Sequence, residues 1–302
     1  MAFTAQDVKN LREITGCGMM DCKKALSETN GDQEKAIEFL REKGLAAAAK
    51  KAGRIAAEGI VKALVDTDKK VGVVVEVNAE TDFVAKNAEF QEFVTVIAQT
   101  IINQNPADVD ALAACKAEGT DVTVADLLTE KIQKIGENMK IRRFTRYEGD
   151  VATYVHGGGT IGVMVKFNTD VAGKEGFAEM GKDVAMQVAA ANPGFLTEAD
   201  VPAEVLDKER EILKVQAMNE GKPEAIAEKM VAGRIQKFYK ENCLMDQVFI
   251  KDNELTVKAF VEAKAKELGG KIEVVSFVRL EKGEGLEKKE DNFADEVASM
   301  VK

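Results

Sequence analysis

Hydrophobic residues in the first part of the chain recur at the three- and four-residue spacing of amphipathic helices. Capping residues precede the first and third of these segments, and glycines or an Asn-Gly pair follow them. Three helices are therefore predicted, beginning after Thr4, at Met19 and after Asp32, and ending at Gly16 and Gly18, at Asn30-Gly31 and at Gly44. They make a small bundle, and residues 45–58, rich in Ala and Lys, are predicted to be a helical linker.

A strand-like segment occurs twice, as VGVVVEVN at 71–78 and as IGVMVKFN at 161–168, a shift of 90 residues. Apolar positions after each copy continue to correspond with a shift of 87, as far as Asn105-Pro106 and Asn192-Pro193. Each copy is predicted to be a β-hairpin followed by a helix with one apolar face. Two such halves, each an antiparallel sheet with helices on one face, predict an α+β core that arose by duplication.

The partner strands and the remaining segments follow from the same patterns. Partner strands are predicted at 59–65 and 151–155, and a third strand of the second half at 272–280. Two apolar stripes between Val205 and Phe238, separated by Gly221 and Pro223, predict an antiparallel coiled-coil hairpin. The charged tail is predicted to end in an amphipathic helix. The sequence predicts an N-terminal domain at 1–44, a linker at 45–58 and the first core half at 59–150. The second core half is predicted at 151–198 and 243–282, interrupted by the coiled-coil hairpin at 199–242, and a C-terminal helical module at 283–302.

Composition narrows the classes of function. The 302 residues carry a formal charge of −10, so there is no overall basic field to attract nucleic acid or an anionic membrane. The single His disfavours His-rich metal sites and most acid/base relays. No C-x-x-C pair, no apolar signal stretch at the start and no run of about 20 apolar residues occur, which predicts a soluble cytoplasmic protein with reduced thiols.

Several local motifs have a structural and a functional interpretation. Residues 157–162 match G-x-G-x-x-G, but a dinucleotide site must open a helix and this segment leads into a strand, which favours a hairpin turn. No phosphate-binding G-x-x-x-x-G-K-[ST] occurs. Cys17 and Cys22 are interpreted as buried thiols rather than metal ligands. His156 is either a solvated turn residue or a contact residue for a partner.

Thr81-Asp82-Phe83 occupies the three residues by which the first repeat exceeds the second. Phe83 either packs against the entry of the following helix or projects with Asp82 as an exposed wedge. An aromatic side chain that inserts into a partner's pocket often carries a large share of the binding energy. The sequence leaves both alternatives open.

Two longer segments resemble the signatures of a known family. LREITGCGMMDCKKAL at 11–26 and EVNAETDFVAK at 76–86 are similar to those of bacterial elongation factor Ts, and the order of all segments agrees over the whole chain. Ala79 departs from the Cys or Ser common at its position, and 106–128 is longer than in short members. The resemblance implies a UBA-like N-terminal bundle and a non-enzymatic guanine-nucleotide exchange factor that partners elongation factor Tu without a cofactor, metal or nucleotide of its own.

The resemblance also implies which residues touch the partner. Asp82 and Phe83, with Thr81, would enter between helices of the partner's GTPase domain and disturb its magnesium site. The other implied contacts on the N-terminal side are Arg12, Met19, Met20 and Lys23 of the bundle, together with Lys51. Those on the core are Ile135, Gly136, His156 and Ile250, and the end helix adds Met300. A structural adaptor without exchange activity is the alternative, and an enzyme is a more distant one.

Overall fold

A computed structural model describes residues 3–15, 17–221 and 223–287. The predicted end helix with Met300, and the predicted helix stop at Gly16, lie outside these residues. The fold mixes helices with antiparallel sheets, which confirms the predicted α+β class. Within the described residues, no helix has the length and apolar character needed to cross a membrane.

Three helices form the N-terminal bundle around a small core of Leu11, Leu26, Leu40 and their neighbours. The bundle consists of α1 (Ala5–Thr15), α2 (Met19–Glu28) and α3 (Gln33–Lys51). Thr4 caps α1 by accepting a hydrogen bond from the Asp7 N–H, and Asp32 caps α3 through Lys35 N–H, as the sequence predicts.

The predicted end of the third helix at Gly44 is wrong, because α3 continues to Lys51. The segment predicted as a separate linker is therefore helical in its first part as a continuation of α3. Gly44 is buried where α3 packs against Thr129 and Gln133, and a Cβ there would lie 2.6 Å from the side-chain oxygen of Gln133. The missing side chain thus allows a close helix contact instead of a left-handed helix end.

The two halves of the core have the same plan. The first contains β1 (Glu58–Asp66), β2 (Val71–Ala79), α4 (Asp82–Ala85), α5 (Ala88–Gln104), α6 (Val109–Ala114), α7 (Val124–Ile135) and β3 (Met139–Glu148). The second contains β4 (Asp150–His156), β5 (Ile161–Thr169), α8 (Phe177–Ala191), α9 (Ala203–Asn219), α10 (Glu224–Asn242), β6 (Val248–Phe249), β7 (Asp252–Thr256), α11 (Val257–Leu268) and β8 (Ile272–Glu281). Their main sheets have the orders β1-β2-β3 and β4-β5-β8, with the repeated strand in the middle.

A β-bulge also recurs with the repeat. The register between β2 and β3 shifts at Glu76/Val77, and that between β5 and β8 shifts at Lys166/Phe167, 90 residues further on. The two sheets pack back to back through a cluster that contains Val61, Val74, Met164 and Leu280. Helix α5 covers the outer face of the first sheet and α8 that of the second. Because β2 is covered on both faces, all nine of its residues are buried, which explains the apolar run from Val71 to Val75.

Helices α9 and α10 pair as the predicted antiparallel hairpin. Their shared cluster contains Leu213, Ile235 and Tyr239, and at the base of the hairpin Val201 and Cys243 belong to the same cluster. The base is fixed to the second half by backbone hydrogen bonds from Gly194 and Phe195 N–H to the Asn242 carbonyl. The two helices of the hairpin therefore bury much of their apolar surface against each other.

Candidate functional site

The Thr81-Asp82-Phe83 motif begins α4, a helix of a single turn. Thr81 is the N-cap and its hydroxyl accepts a hydrogen bond from Val84 N–H. Val84 and Ala85 face inward and are buried in the core of the first half, whereas Phe83 is 81% exposed. Packing of Phe83 against the helix entry, one of the two alternatives left by the sequence, is therefore wrong. We call the exposed pair Asp82 and Phe83 the wedge.

The carboxylate of the wedge is paired within its own helix turn. Lys86 Nζ donates to Asp82 Oδ2 at 2.6 Å, and about half of the Asp82 side chain is exposed. The hydrogen bond from Lys86 is the largest cause that lowers the pKa of Asp82, and the charge of Lys282 adds to it. Asp82 is therefore ionised at neutral pH, and the wedge presents a negative charge beside an apolar ring.

The loop after α7 contacts the loop that immediately precedes the wedge. Glu137 Oε2 accepts hydrogen bonds from the N–H groups of Glu80 and Thr81, both at 3.0 Å. Glu137 Oε1 accepts the Thr81 hydroxyl at 2.6 Å. In return, Glu80 Oε1 accepts a hydrogen bond from Asn138 N–H. We call Glu80, Thr81, Glu137 and Asn138 the clasp.

Three further residues implied by the resemblance lie next to this clasp. Ile135 ends α7 and Gly136 is its C-cap, with a left-handed φ of 90°. Lys51, at the end of α3, donates from Nζ to the Ile132 carbonyl of α7 at 3.3 Å. The structure thus brings Lys51, Ile135 and Gly136 to the same end of the first half as the wedge.

The remaining implied residues lie on other elements. Arg12 on α1 and Lys23 on α2 are exposed. Met19 and Met20 at the start of α2 are 48% and 73% exposed, a large fraction for apolar side chains. Met300 lies outside the described residues.

His156 and Ile250 project from two turns of the second half. Exposed His156 ends β4, and its Nδ1 lies 3.0 Å from the hydroxyl of Tyr154, which orients the ring. Ile250 is 45% exposed in the turn between β6 and β7, and its N–H donates to the buried Gln187 side chain at 2.8 Å. Both turns therefore hold a defined side chain toward solvent.

The structure also shows the surroundings of the glycine-rich segment and of the cysteines. Gly157, Gly158 and Gly159 form the hairpin turn between β4 and β5, each with positive φ, as predicted. Cys17 and Cys22 are buried free thiols, also as predicted, and burial raises the pKa of Cys17. In the part of the chain that the structure describes, no group of three or more His, Cys, Asp or Glu side chains could hold a metal ion.

Comparison with known proteins decides the family. The family described as Elongation factor TS matches residues 80–284, more than half of the chain. Elongation factor Ts of Clostridium perfringens is 58% identical over 301 residues, covering 99% of each chain. The proteins of the same name from Clostridium kluyveri and Clostridium botulinum are 55% and 52% identical, again over 99% of each chain.

The chain belongs to the elongation factor Ts family. It is therefore a translation elongation factor. The matched region begins at Glu80 and so contains the clasp and the wedge but not the N-terminal bundle. The alignments with elongation factor Ts proteins cover nearly the full length of the chain and so include the bundle. Arg12, Met19, Met20 and Lys23 lie in this bundle.

Sequence reasoning missed the residues that hold these elements of the elongation factor Ts fold in place. Glu137 and Asn138 contact residues more than 50 positions earlier in the chain. Gln187 supports the turn of Ile250 from 63 positions away. Single polar residues carry no periodic signal, so only their partners in space reveal them. A weak hint is that Thr81 has the residue type of a helix cap.

Proposed function

We propose that this chain is a guanine-nucleotide exchange factor for elongation factor Tu and acts in the cytoplasm. It binds the GDP-bound GTPase and promotes GDP release, after which GTP can bind. It does so as a binding protein, without covalent chemistry or a cofactor of its own. The observation that carries the proposal is the 81% exposed Phe83 beside ionised Asp82, fixed at the start of α4 in a member of this family.

The chemistry of the wedge fits a GTPase nucleotide site. Such a site holds its nucleotide through Mg²⁺, which binds phosphate oxygens and protein oxygen ligands. Phe83 is suited to enter an apolar crevice between helices, because burial of a phenyl ring is strongly favourable. The carboxylate of Asp82 would then compete for the polar groups that support the metal. No Walker-type phosphate motif occurs in the sequence, which fits a chain that acts on nucleotide through another protein.

Further contacts would hold the partner while the wedge enters. We propose Arg12, Met19, Met20 and Lys23 for the GTPase domain near the guanine side, with Lys51 beside them. Ile135, Gly136, His156 and Ile250 would contact the partner from the core, and Met300 from the tail. Support comes from the exposure of Met19, Met20 and Ile250, since exposed apolar side chains are typical of interface anchors.

The direct test measures release of a fluorescent GDP from purified elongation factor Tu. Addition of this chain is expected to accelerate release in proportion to its concentration until the GTPase is saturated. Bovine serum albumin at the same concentration controls for nonspecific effects. An unchanged release rate at saturating concentrations, with binding of the two proteins shown separately, would contradict the exchange function.

One observation favours the alternative of a structural adaptor. The α9–α10 hairpin carries partly exposed apolar residues along its length, among them Ile212, Val215, Met218 and Ile226. Such a stripe suits assembly with another protein. The same experiment separates the two functions, because an adaptor would bind elongation factor Tu, or another protein, without any change in GDP release.

A further inference from the structure

The wedge lies on an element that is too short to hold its own shape. Helix α4 has only four residues, and an isolated helix of this length does not form in water. The orientation of Phe83 is therefore set by what the neighbouring residues bind. Val84 and Ala85 anchor one side of α4 in the core, which leaves the start of the helix to be fixed separately.

Glu137 fixes that start through three hydrogen bonds. Its two carboxylate oxygens accept the N–H groups of Glu80 and Thr81 and the Thr81 hydroxyl, at 3.0, 3.0 and 2.6 Å. Hydrogen bonds to an ionised acceptor are stronger than those between neutral groups. The Thr81 hydroxyl has two roles, because it donates to Glu137 and accepts from Val84 N–H. Glu137 thus orients the very hydroxyl that caps α4.

The second arm of the clasp runs in the opposite direction. Glu80 accepts from Asn138 N–H and lies 3.4 Å from Arg54 Nη1. The buried Asn138 side chain donates to the Arg54 carbonyl at 2.8 Å. The two loops and the end of the segment after α3 are therefore mutually fixed.

We propose that Glu137 is a positioning residue for the wedge. It sets the orientation of Asp82 and Phe83 relative to Ile135 and Gly136. The wedge and the end of α7 can then contact the partner at the same time. This inference rests on the proposed exchange function. Glu137 is half-buried, and the hydrogen bonds of its carboxylate go to Glu80 and Thr81, so its loss acts first on the start of α4.

The first experiment requires no partner. The chain contains no Trp, so Phe83→Trp places a single indole fluorophore at the tip of the wedge. Adding Glu137→Gln to this variant replaces one acceptor oxygen by an NH₂ group, so some of the donors of Glu80 and Thr81 lose their acceptor. The start of α4 then becomes more mobile, and the emission anisotropy of the indole is expected to fall. The matched control is Glu92→Gln, which changes an exposed carboxylate of α5. Anisotropy that is the same with and without Glu137→Gln would overturn the proposal.

The second experiment measures GDP release from elongation factor Tu at subsaturating concentrations. Glu137→Gln and Thr81→Val are each expected to slow release about tenfold. This factor corresponds to a wedge that is correctly oriented in about a tenth of the molecules, because apparent affinity falls with the binding-competent fraction. Thr81→Ser keeps the hydroxyl and is expected to slow release less than Thr81→Val. The control Glu92→Gln, on an exposed position of α5, should remain within about twofold of the original chain. Thermal unfolding of every variant is measured in parallel.

The outcomes separate this inference from the function on which it rests. If the unaltered chain does not accelerate GDP release, the exchange function fails, and the anisotropy of the indole in the Phe83→Trp variant still tests the clasp. If it does accelerate release but Glu137→Gln equals the control, the positioning role is wrong. A loss of exchange that follows a general loss of stability, or no difference between Thr81→Ser and Thr81→Val, would also overturn it.

Discussion

Gly162 on β5 lies directly against Val61 on β1, so closely that a Cβ on Gly162 would be 2.4 Å from Val61 Cγ1. The corresponding glycine of the first repeat, Gly72, meets Met164 and Val151 in the same way, at 2.6 and 2.7 Å. Each central strand thus uses its repeated glycine to admit a side chain of the other sheet. The repeat of the sequence is therefore also a reciprocal packing device between the two halves.

Gly162→Ala is expected to destabilise the protein by about 1–3 kcal/mol, because the buried, branched Val61 has little room to move. Gly72→Ala is also expected to destabilise the protein, because the flexible Met164 side chain can adjust but Val151 is branched like Val61. Urea unfolding measures both effects. Gly173→Ala is the control, as nothing lies within 4 Å of a Cβ at that position. Equal stability of the Gly162 and Gly173 variants would contradict the close sheet packing.

The buried Glu76 of β2 connects β3 to the end of β8. It accepts hydrogen bonds from Arg142 at 3.0 Å, Arg143 at 2.6 Å and the Gly283 N–H at 2.8 Å. Burial by itself raises the pKa of Glu76, but the hydrogen bonds from Gly283, Arg143, Asn78 and Arg142 outweigh it and lower the pKa below its ordinary value. Glu76→Gln should therefore reduce stability at pH 7 by about 3 kcal/mol, because both arginines lose a buried carboxylate and Arg143 is left with the more exposed Glu284.

The effect of Glu76→Gln is expected to depend on pH. A carboxylate whose pKa is lower in the folded state stabilises the fold above its unfolded pKa, about 4.3 for Glu, and this stabilisation is lost as pH falls through the folded pKa. The difference in unfolding free energy between the original chain and Glu76→Gln should thus shrink below about pH 4. Denaturant titrations at several pH values test this, with Glu92→Gln as a control. A constant difference down to about pH 3 would mean that the pKa of Glu76 is the same in the folded and unfolded states, which would contradict the prediction.

Phe83→Ala is expected to slow GDP release from elongation factor Tu while changing the free energy of unfolding by no more than about 0.5 kcal/mol. The physical reason is that an exposed side chain contributes little to the fold. Asp82→Ala should behave similarly in exchange. The comparison requires stopped-flow release of labelled GDP and thermal unfolding of the free chain. If the unfolding temperature instead drops by many degrees, and the rate of exchange falls only in proportion to the loss of folded protein, Phe83 acts through the core.

The α9–α10 hairpin should be removable without loss of the core. Replacing about 205–238 by a short Gly/Ser bridge leaves the base intact, where Phe195 and Cys243 form a parallel β-bridge. Because the apolar cluster of the hairpin is largely its own, the shortened chain is expected to fold and to keep most of its exchange activity. Circular dichroism and GDP release check this. Complete loss of exchange in a folded variant would place the hairpin in the interface with the partner.

Exchange by this route implies reciprocal linkage. If the chain weakens GDP binding to elongation factor Tu, GDP must weaken binding of the chain by the same factor. A coupling of roughly 1–3 kcal/mol is the lower bound expected. Titration of GDP with Mg²⁺ into the purified complex, followed by mass photometry, should show dissociation, and the chain alone should bind neither GDP nor GTP. A complex that persists at saturating GDP would favour the adaptor alternative.

Local patterns were sufficient for much of the fold and insufficient for β3. The repeated strands and the helical hairpin follow from periodicities that lie within a few residues. The sequence of β3, MKIRRFTRYE, shows no such pattern, because Arg142 and Arg143 are not apolar. They enter a sheet only because Glu76 on the neighbouring strand pairs with them. For a similar reason α3 continues past Gly44, whose role depends on α7 rather than on its neighbours in the chain.

By itself the sequence determined the α+β class, the repeat, the hairpin and the family motifs, since each of these is written in residues close together along the chain. Only the tertiary structure decided that Phe83 faces solvent and that Glu137, 56 positions after Thr81, holds the start of α4. Exposure and long-range hydrogen bonds depend on which surfaces meet after folding. That meeting is a sum of many contacts between distant residues, and no short stretch of sequence contains it.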